Sequence, residues 1–275
     1  MLHFTKMNGA GNDFVMVDNR DGNATLTGPQ IARLCDRHRG VGADGLLAVE
    51  PAQNGADFRM RYYNADGGEA DMCGNGARCF ARFAQKVSGR SGDISFETLA
   101  GVITAKLLGG LVQIQMSKPH SLRLGDQLHA GGEVLLVHSI NTGVPHAVVF
   151  VDDVENTAVH DLGRALRYHE HFAPKGTNAN FIQQRAADTI AIRTYERGVE
   201  GETLACGTGM VACALIFHER TGAPSPVQVQ VRGGDTLRIG FEKTGADYTN
   251  VTLTGPADFV FDGVCSSFSQ AGVLA

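Results

Sequence analysis

The stretch MCGNGARC, at residues 72–79, places a cysteine directly before a Gly-Asn-Gly step, and it has a near copy in ACGTGMVAC, at residues 205–213. Each copy follows a strand-like segment, a tyrosine and an acidic, glycine-rich loop. After each copy, apolar residues continue near helical spacing until a glycine, Gly89 or Gly222, which predicts a helix. The repeat indicates an internal duplication. It predicts two like domains related by a pseudo-two-fold axis, with both helix starts facing a shared cleft.

Short segments of alternating apolar and polar residues recur along the chain and are joined by hairpin signals such as Gly109-Gly110, so we expect antiparallel or mixed sheets. The segment MVACALIF, at residues 210–217, is apolar on all sides, and such a helix must be covered on every side. The sequence therefore predicts a mixed α/β fold of two pseudo-symmetric domains, each a barrel-like mixed or antiparallel sheet around a central helix. We place the first domain at residues 1–117 together with 259–275, and the second at residues 118–258.

The composition is typical of a soluble globular protein without a broad basic surface. Of 275 residues, 43% are apolar and 19% charged, and the formal net charge is -5. The 24 lysines and arginines form no run that could follow a phosphate backbone, which argues against a nucleic-acid partner. No charged segment followed by an apolar one opens the chain, and no apolar stretch approaches the roughly 18 residues of a membrane span. We expect a cytoplasmic protein with no membrane partner.

The spacing of the cysteines argues against disulfides within the two motifs. Cys73 and Cys79 are six residues apart and Cys206 and Cys213 are seven apart, or roughly 9 and 10 Å along a helix at about 1.5 Å per residue. A disulfide needs Cα atoms within about 7 Å. These spacings also exceed the two to four intervening residues usual in a zinc-binding cysteine pair. We expect no metal, and we expect Cys79 and Cys213, with Cys35 and Cys265, to be small buried residues.

A cysteine at the start of a helix faces the positive end of the helix dipole and unpaired backbone N–H groups, which favour thiolate over thiol. The adjacent glycines let a ligand approach the backbone, so each helix start can also hold a carboxylate. Two such thiols, Cys73 and Cys206, suit a reaction that removes a proton from one face of a carbon and returns one to the other. A thiol redox or metal-binding protein and an inactive small-molecule binder remain as alternatives from other classes.

With these motifs, the sequence resembles the diaminopimelate epimerases, a family of pyridoxal-independent amino-acid epimerases. The resemblance spans nearly the whole chain and is carried by KMNGAGNDFV (6–15), RHRGVGADGLL (37–47), NADGGEADMCGNGARCFARF (64–83), GVPHAVVFVDD (143–153), GTNANF (176–181), YERGVEGETLACGTG (195–209) and GPADFVFDG (255–263). It implies interconversion of LL- and meso-diaminopimelate in lysine and peptidoglycan-precursor biosynthesis. It also implies a homodimer that needs no cofactor.

The resemblance assigns roles to particular residues. Cys73 and Cys206 are the acid/base thiols, and His146 and Glu196 lie beside them and assist their proton chemistry. The helix starts at Gly74-Asn75 and Gly207-Thr208 hold the reacting carboxylate. The distal amino-acid group of the substrate is held by amides and an arginine at matching positions: Asn12, Asn64, Asn178 and Arg197.

Two departures from the family pattern concern the distal end of the substrate. Gly45 occupies a position where the family often has glutamine, and Val144 one where it often has a substrate-contacting asparagine. Asn180, an additional amide in GTNANF, is one possible compensation; a different mode of distal binding is another. A racemase acting on histidine or a proline-like amino acid on the same fold therefore stays the closest alternative.

Overall fold

The computed structural model describes residues 1–266 of the chain. The described chain divides into two compact units, an N-terminal unit of Met1–Ile114 together with residues 256–266, and a C-terminal unit of Gln115–Gly255. The domain boundaries predicted from the sequence lie after residues 117 and 258. Residues 267–275 of the predicted first domain lie outside the described part of the chain.

The N-terminal unit contains two helices and a mixed sheet. The helices are α1 (Gly28–Cys35) and α2 (Gly74–Ser88), and the strands are β1 (Leu2–Gly9), β2 (Asn12–Asp18), β3 (Gly45–Pro51), β4 (Phe58–Asn64), β5 (Ile94–Thr98), β6 (Gly101–Leu108), β7 (Leu111–Gln115) and the last strand of the chain, β17 (Asp258–Cys265). From β17 the hydrogen-bonded order runs through β1 to β7. The β2–β3 and β4–β5 pairs are parallel, and the others in this order are antiparallel.

The C-terminal unit contains α3 (Val159–Arg167), a short 3₁₀ helix (Glu170–Phe172) and α4 (Gly207–Thr221). Its strands are β8 (His120–Ala130), β9 (Glu133–Asn141), β10 (Pro145–Phe150), β11 (Asn178–Ala186), β12 (Thr189–Glu196), β13 (Gly201–Thr203), β14 (Val227–Gln230), β15 (Thr236–Thr244) and β16 (Asp247–Pro256). The β10–β11 and β12–β14 pairs are parallel. The β8–β9, β9–β10, β11–β12, β14–β15 and β15–β16 pairs are antiparallel, and β13 adds to β12.

The two units repeat one topology. Starting from β17 and β1 in the first unit, and from β8 and β9 in the second, the pairing follows the same series of antiparallel and parallel steps through eight strands, with β13 as an addition. The helices interrupt this series at corresponding points, α1 and α3 in the first parallel crossover and α2 and α4 in the second. The mixed α/β class and the duplication predicted from the cysteine motifs are confirmed.

The helices that follow the cysteines are largely buried within their units. Every residue of α4 from position 209 to 217 is buried, as an all-apolar helix requires. It packs against β9, β10, β11, β12, β14 and β15, and α2 packs against β1, β2, β3, β5 and β6. Closure of each sheet into a barrel around its helix stays a prediction. Within residues 1–266 we find no helix both long and apolar enough to cross a membrane.

Candidate active site

Cys73 is the residue that precedes the first turn of α2, with extended backbone angles (φ -135°, ψ 122°). The turn packs tightly, because a Cβ atom added at Gly76 would lie 3.1 Å from Leu47 Cδ1 and 3.4 Å from Phe14 Cζ. The first N–H groups of a helix have no partner within it, and they carry the positive end of its dipole. The predicted position of this cysteine at a helix start is therefore observed.

An asparagine from β2 orders the side chains around Cys73. Asn12 donates through Nδ2 to Asp44 Oδ2 at 2.5 Å, so its Oδ1 points the other way. That oxygen accepts from Cys73 Sγ at 3.6 Å and from Asn75 Nδ2 at 3.4 Å. Asn12 thus lies at the thiol, although the sequence predicts it at the distal end of the substrate. Asp44, which the sequence analysis did not single out, lies within the quoted motif RHRGVGADGLL.

Asn64, at the end of β4, lies in register with Gly45 on β3, and its Oδ1 accepts from the Tyr62 hydroxyl at 2.8 Å. A Cβ atom added at Gly45 would lie 2.5 Å from the backbone oxygen of Tyr63 and 2.9 Å from Tyr62 Cε2. The ring of Tyr62 therefore occupies the space in which a side chain at residue 45 would begin. A glutamine, which the family often has at this position, would not fit here unless Tyr62 and the backbone of Tyr63 moved.

Arg78, one turn into α2, is fully buried and is a residue that sequence reasoning missed. Its guanidinium donates to the backbone oxygens of Pro256 at 3.2 Å, Gly9 at 3.3 Å and Gly74 at 3.4 Å. A buried cation needs acceptors on several sides, and here three separate segments supply them. Arg78 therefore ties the first turn of α2 to β1. The sequence could have drawn attention to this arginine, because it lies five residues after Cys73 within the motif CGNGAR.

Cys206 occupies the corresponding position before α4, with extended backbone angles (φ -118°, ψ 111°). Its sulfur lies 3.7 Å from Thr208 Oγ1. A Cβ atom added at Gly209 would lie 2.6 Å from Asn180 Oδ1 and 3.3 Å from Cys206 Sγ. The second glycine of this Cys-Gly-x-Gly motif therefore lets the thiol and the start of α4 approach β11.

His146 is fully buried on β10, in register with Asn178 on the parallel strand β11. Its Nε2 lies 2.9 Å from Thr208 Oγ1, and its Nδ1 lies 3.2 Å from Asn180 Nδ2. Burial, and to a smaller extent the positive charge of Arg197, lowers the pKa of His146 to about 3. The imidazole is therefore neutral near pH 7, and Thr208 links it to Cys206.

Asn178, the first residue of β11, and Arg197, which directly follows β12, are joined by a hydrogen bond. Asn178 accepts from the Arg197 backbone N–H at 2.8 Å and donates to the oxygen of Pro145 at 3.2 Å. Arg197 donates through Nη1 to Lys175 O at 3.3 Å. The amide of Asn178 is thus held by backbone groups, and a buried polar side chain of this kind fixes the local geometry.

Glu196 is the last residue of β12, and burial raises its pKa, although a hydrogen bond from the Thr203 hydroxyl at 2.9 Å acts in the opposite direction. A carboxyl group with a raised pKa can gain or lose a proton closer to neutral pH than an exposed one.

Val144 lies in the turn before β10 and is half-buried. An apolar side chain therefore stands at the position where the family often has a substrate-contacting asparagine.

The other four cysteines are free thiols that pack in the protein interior or against it. Cys35, Cys79 and Cys213 are buried as predicted, whereas Cys265 is half-buried at the end of β17 and packs against the core. Burial raises the pKa of Cys35 to about 11 and of Cys79 to about 12, and it raises the pKa of Cys213 as well. None of these three suits acid/base chemistry near neutral pH. In the described part of the chain, no cluster of three or more His, Cys, Asp or Glu side chains is arranged to bind a metal.

Comparison with known proteins gives one consistent result. The profile of the family described as diaminopimelate epimerase matches residues 4–121 and 138–260. The chain is 44% identical to the diaminopimelate epimerase of Aquifex aeolicus, covering 95% of this chain and 97% of the relative. It is 42% identical to that of a Hydrogenobaculum species, covering 95% of this chain and 98% of the relative.

Solved structures share the fold at low sequence identity. A phenazine biosynthesis protein of the PhzF family from Bacillus anthracis has a TM-score of 0.69 at 16% identity and covers 96% of this chain and 98% of its own. A probable proline racemase from Agrobacterium radiobacter has a TM-score of 0.68 at 16% identity and covers 98% and 95%. At this identity the likeness establishes the architecture alone.

Proposed function

Because the chain belongs to the diaminopimelate epimerase family, we propose that it interconverts LL- and meso-2,6-diaminopimelate by proton transfer at one α-carbon. It is an isomerase, and it serves lysine and peptidoglycan-precursor biosynthesis. The observation that carries the assignment is the duplicated site: each unit places a cysteine directly before the first turn of a buried helix. Two thiols, one on each side of the α-carbon, can remove a proton from one face and add one to the other.

The proton balance of the proposed reaction is simple. One cysteine, as thiolate, takes the α-proton and becomes a thiol, and the electron pair left on the α-carbon is shared with the substrate carboxylate. The other cysteine, as thiol, gives its proton to the opposite face and becomes a thiolate. Cys73 and Cys206 fill these two roles, and they exchange them when the substrate stereoisomer is reversed. No external acid, base or oxidant is consumed.

The α-proton of an amino acid is a very weak acid, so the site must stabilise the charge that develops towards the carboxylate. The backbone N–H groups at Gly74-Asn75 and Gly207-Thr208 supply such donors at the positive ends of α2 and α4. Glycine permits a close approach to these N–H groups. We assign the reacting carboxylate to these two helix starts.

Glu196 and the neutral His146 assist the thiols. Burial raises the pKa of Glu196, which favours a role in proton transfer near neutral pH. We assign the distal amino and carboxylate groups of the substrate to Asn64, Asn178 and Arg197. Asn12 belongs to the same proposed site, and its hydrogen bond with Cys73 gives it a second role at the reacting end.

The direct test is turnover by the purified, reduced protein without added pyridoxal phosphate. LL-diaminopimelate, L-histidine, L-proline and L-lysine are incubated separately, and stereochemical conversion is followed by chiral chromatography. We expect conversion of diaminopimelate alone. Conversion of histidine or proline instead would move the assignment to a racemase of another amino acid, the alternative kept open by Gly45 and Val144. Absence of conversion with all four would refute the proposal.

The proposed enzyme is a cytoplasmic homodimer. The homodimer is predicted from the family resemblance, and it can be measured independently of activity. Size-exclusion chromatography with light scattering should give twice the chain mass of 29.2 kDa. A mass of one chain at micromolar concentration would contradict this part of the proposal.

A further inference from the structure

Asn180 is fully buried on β11, and its neighbours fix which end of its carboxamide points where. The side-chain nitrogen lies 2.8 Å from the backbone oxygen of Ala147, and the side-chain oxygen lies 3.0 Å from Thr194 Oγ1. A backbone carbonyl oxygen can only accept, so the amide nitrogen must be at that end. The Thr194 hydroxyl then donates to Oδ1, and the orientation is determined by chemistry on both sides.

The same nitrogen determines the tautomer of His146. Asn180 Nδ2 lies 3.2 Å from His146 Nδ1, and an amide N–H can only donate, so Nδ1 must be the unprotonated acceptor. Both amide hydrogens of Asn180 are thereby used, one on Ala147 and one on His146. A neutral imidazole with an unprotonated Nδ1 carries its proton on Nε2. The pKa of His146, lowered by burial to about 3, keeps the ring in this neutral form near pH 7.

The tautomer then sets the direction of the next hydrogen bond. Nε2–H donates to Thr208 Oγ1 at 2.9 Å, so this oxygen is an acceptor towards His146. The hydroxyl hydrogen of Thr208 is left for another acceptor, and Cys206 Sγ lies 3.7 Å away. Sulfur is a larger atom than oxygen, and this separation suits an O–H···S hydrogen bond. A donor to the sulfur favours thiolate over thiol.

We infer that Asn180 is a positioning residue for the proposed reaction: by donating to His146 Nδ1 it makes the Thr208 hydroxyl a donor to the Cys206 thiolate. The inference rests on the proposed function for its catalytic meaning. It gives the additional amide in GTNANF a role at the thiol rather than at the distal end of the substrate. The tight packing of Gly209 against Asn180 Oδ1 keeps the start of α4 and the amide together.

The first test is the tautomer itself. The protein has ten histidines, and long-range ¹H–¹⁵N NMR on ring-labelled protein distinguishes Nε2–H from Nδ1–H, with His146→Gln assigning the signal. We expect Nε2–H in the wild type. Asn180→Asp places an acceptor where the amide nitrogen stood, so the proton should move to Nδ1. Thr194→Val, which removes only the bond to Oδ1, is the matched control and should leave Nε2–H unchanged. Nδ1–H in the wild type would overturn the inference.

The second test is the reactivity of the sulfur, measured without substrate. In a Cys73→Ser background, the rate at which iodoacetamide alkylates Cys206 at pH 7 reports its thiolate population. Loss of one hydrogen bond to the thiolate should slow alkylation roughly 2- to 10-fold in Asn180→Asp. Thr208→Val should slow alkylation by the same factor while the His146 tautomer stays unchanged. Thr208→Ser, which keeps the hydroxyl, should be alkylated at the wild-type rate. Equal rates in the wild type and Thr208→Val would overturn the inference even where Asn180→Asp fails to fold.

These readouts separate the two proposals. Neither the His146 tautomer nor alkylation of Cys206 requires a substrate. If the protein does not convert diaminopimelate but shows the predicted His146 tautomer and the predicted alkylation rates, the proposed function is refuted. The hydrogen bonds from Asn180 through His146 and Thr208 to Cys206 would then still be supported. The opposite combination, turnover with the wrong tautomer, would refute the role of Asn180 alone.

Discussion

Acid should destabilise the protein through His146 in a way that one substitution removes. The pKa of this side chain is about 3 in the folded protein, against an ordinary value of 6.5. Between these values the unfolded chain binds a proton that the folded chain does not, so stability is lost as pH falls below 6.5 and this loss is complete near pH 3. Above pH 6.5 the site contributes nothing to the pH dependence.

From these two pKa values, lowering the pH from 7 to 5 should cost about 2 kcal/mol of unfolding free energy at this one site. His146→Gln has no titrating group, and its amide can still reach Thr208. The variant should lose about 2 kcal/mol less than the wild type over this pH range. His138, whose pKa burial also lowers, is present in both proteins, so its contribution cancels.

The measurement is urea unfolding at pH 7 and pH 5, followed by far-UV circular dichroism because the chain has no tryptophan. His129→Gln, at an exposed position on β8, is the control and should show the pH dependence of the wild type. If His146→Gln loses as much stability between pH 7 and pH 5 as the wild type does, the claim that His146 is buried as a neutral imidazole is refuted.

Two further substitutions test separate parts of the site. Gly45→Ala should lower stability by about 1–3 kcal/mol, since the new Cβ would lie 2.5 Å from the backbone oxygen of Tyr63. Gly110→Ala is the control, because no atom lies within 4 Å of the Cβ added there. Equal melting temperatures for Gly45→Ala and Gly110→Ala in thermal unfolding would contradict the packing argument. Thr203→Val removes the hydrogen bond that favours ionised Glu196, so the limb of the kcat/KM profile that depends on this carboxyl should move to higher pH. A limb that stays in place would separate Glu196 from the proton transfers.

The duplicated cysteine motif predicts much of the fold because its signals are local. A cysteine followed by Gly-x-Gly and a helical apolar pattern determines a helix start in each unit, and the copies imply the repeated strand order that the structure shows. The all-apolar pattern of α4 likewise predicts its complete burial. These features depend on residues that are neighbours in the chain.

The contacts around the thiols depend on strand register and could not be predicted in the same way. A side chain at residue 45 would meet Tyr62 and Tyr63 of the neighbouring strand, and the sequence alone does not give the alignment of the two strands. Asn180 reaches His146 because β10 and β11 are parallel in one particular register. The burial of Arg78 depends on backbone oxygens from distant segments. In each case the residue is visible in the sequence and its partner is not.

The central claim, that two thiols each serve one face of the α-carbon, is tested most directly by the isotope content of the reaction in D₂O. LL-diaminopimelate is converted to low extent by the reduced protein, and the recovered substrate and the meso product are analysed separately by NMR and mass spectrometry. We expect deuterium at the inverted α-carbon of the product and hydrogen in the recovered substrate, because the donor thiol has exchanged with solvent and the acceptor thiol holds the substrate proton. Hydrogen retained in the product, or deuterium in the recovered substrate to the same extent as in the product, would show that one group serves both faces and would contradict the two-thiol mechanism.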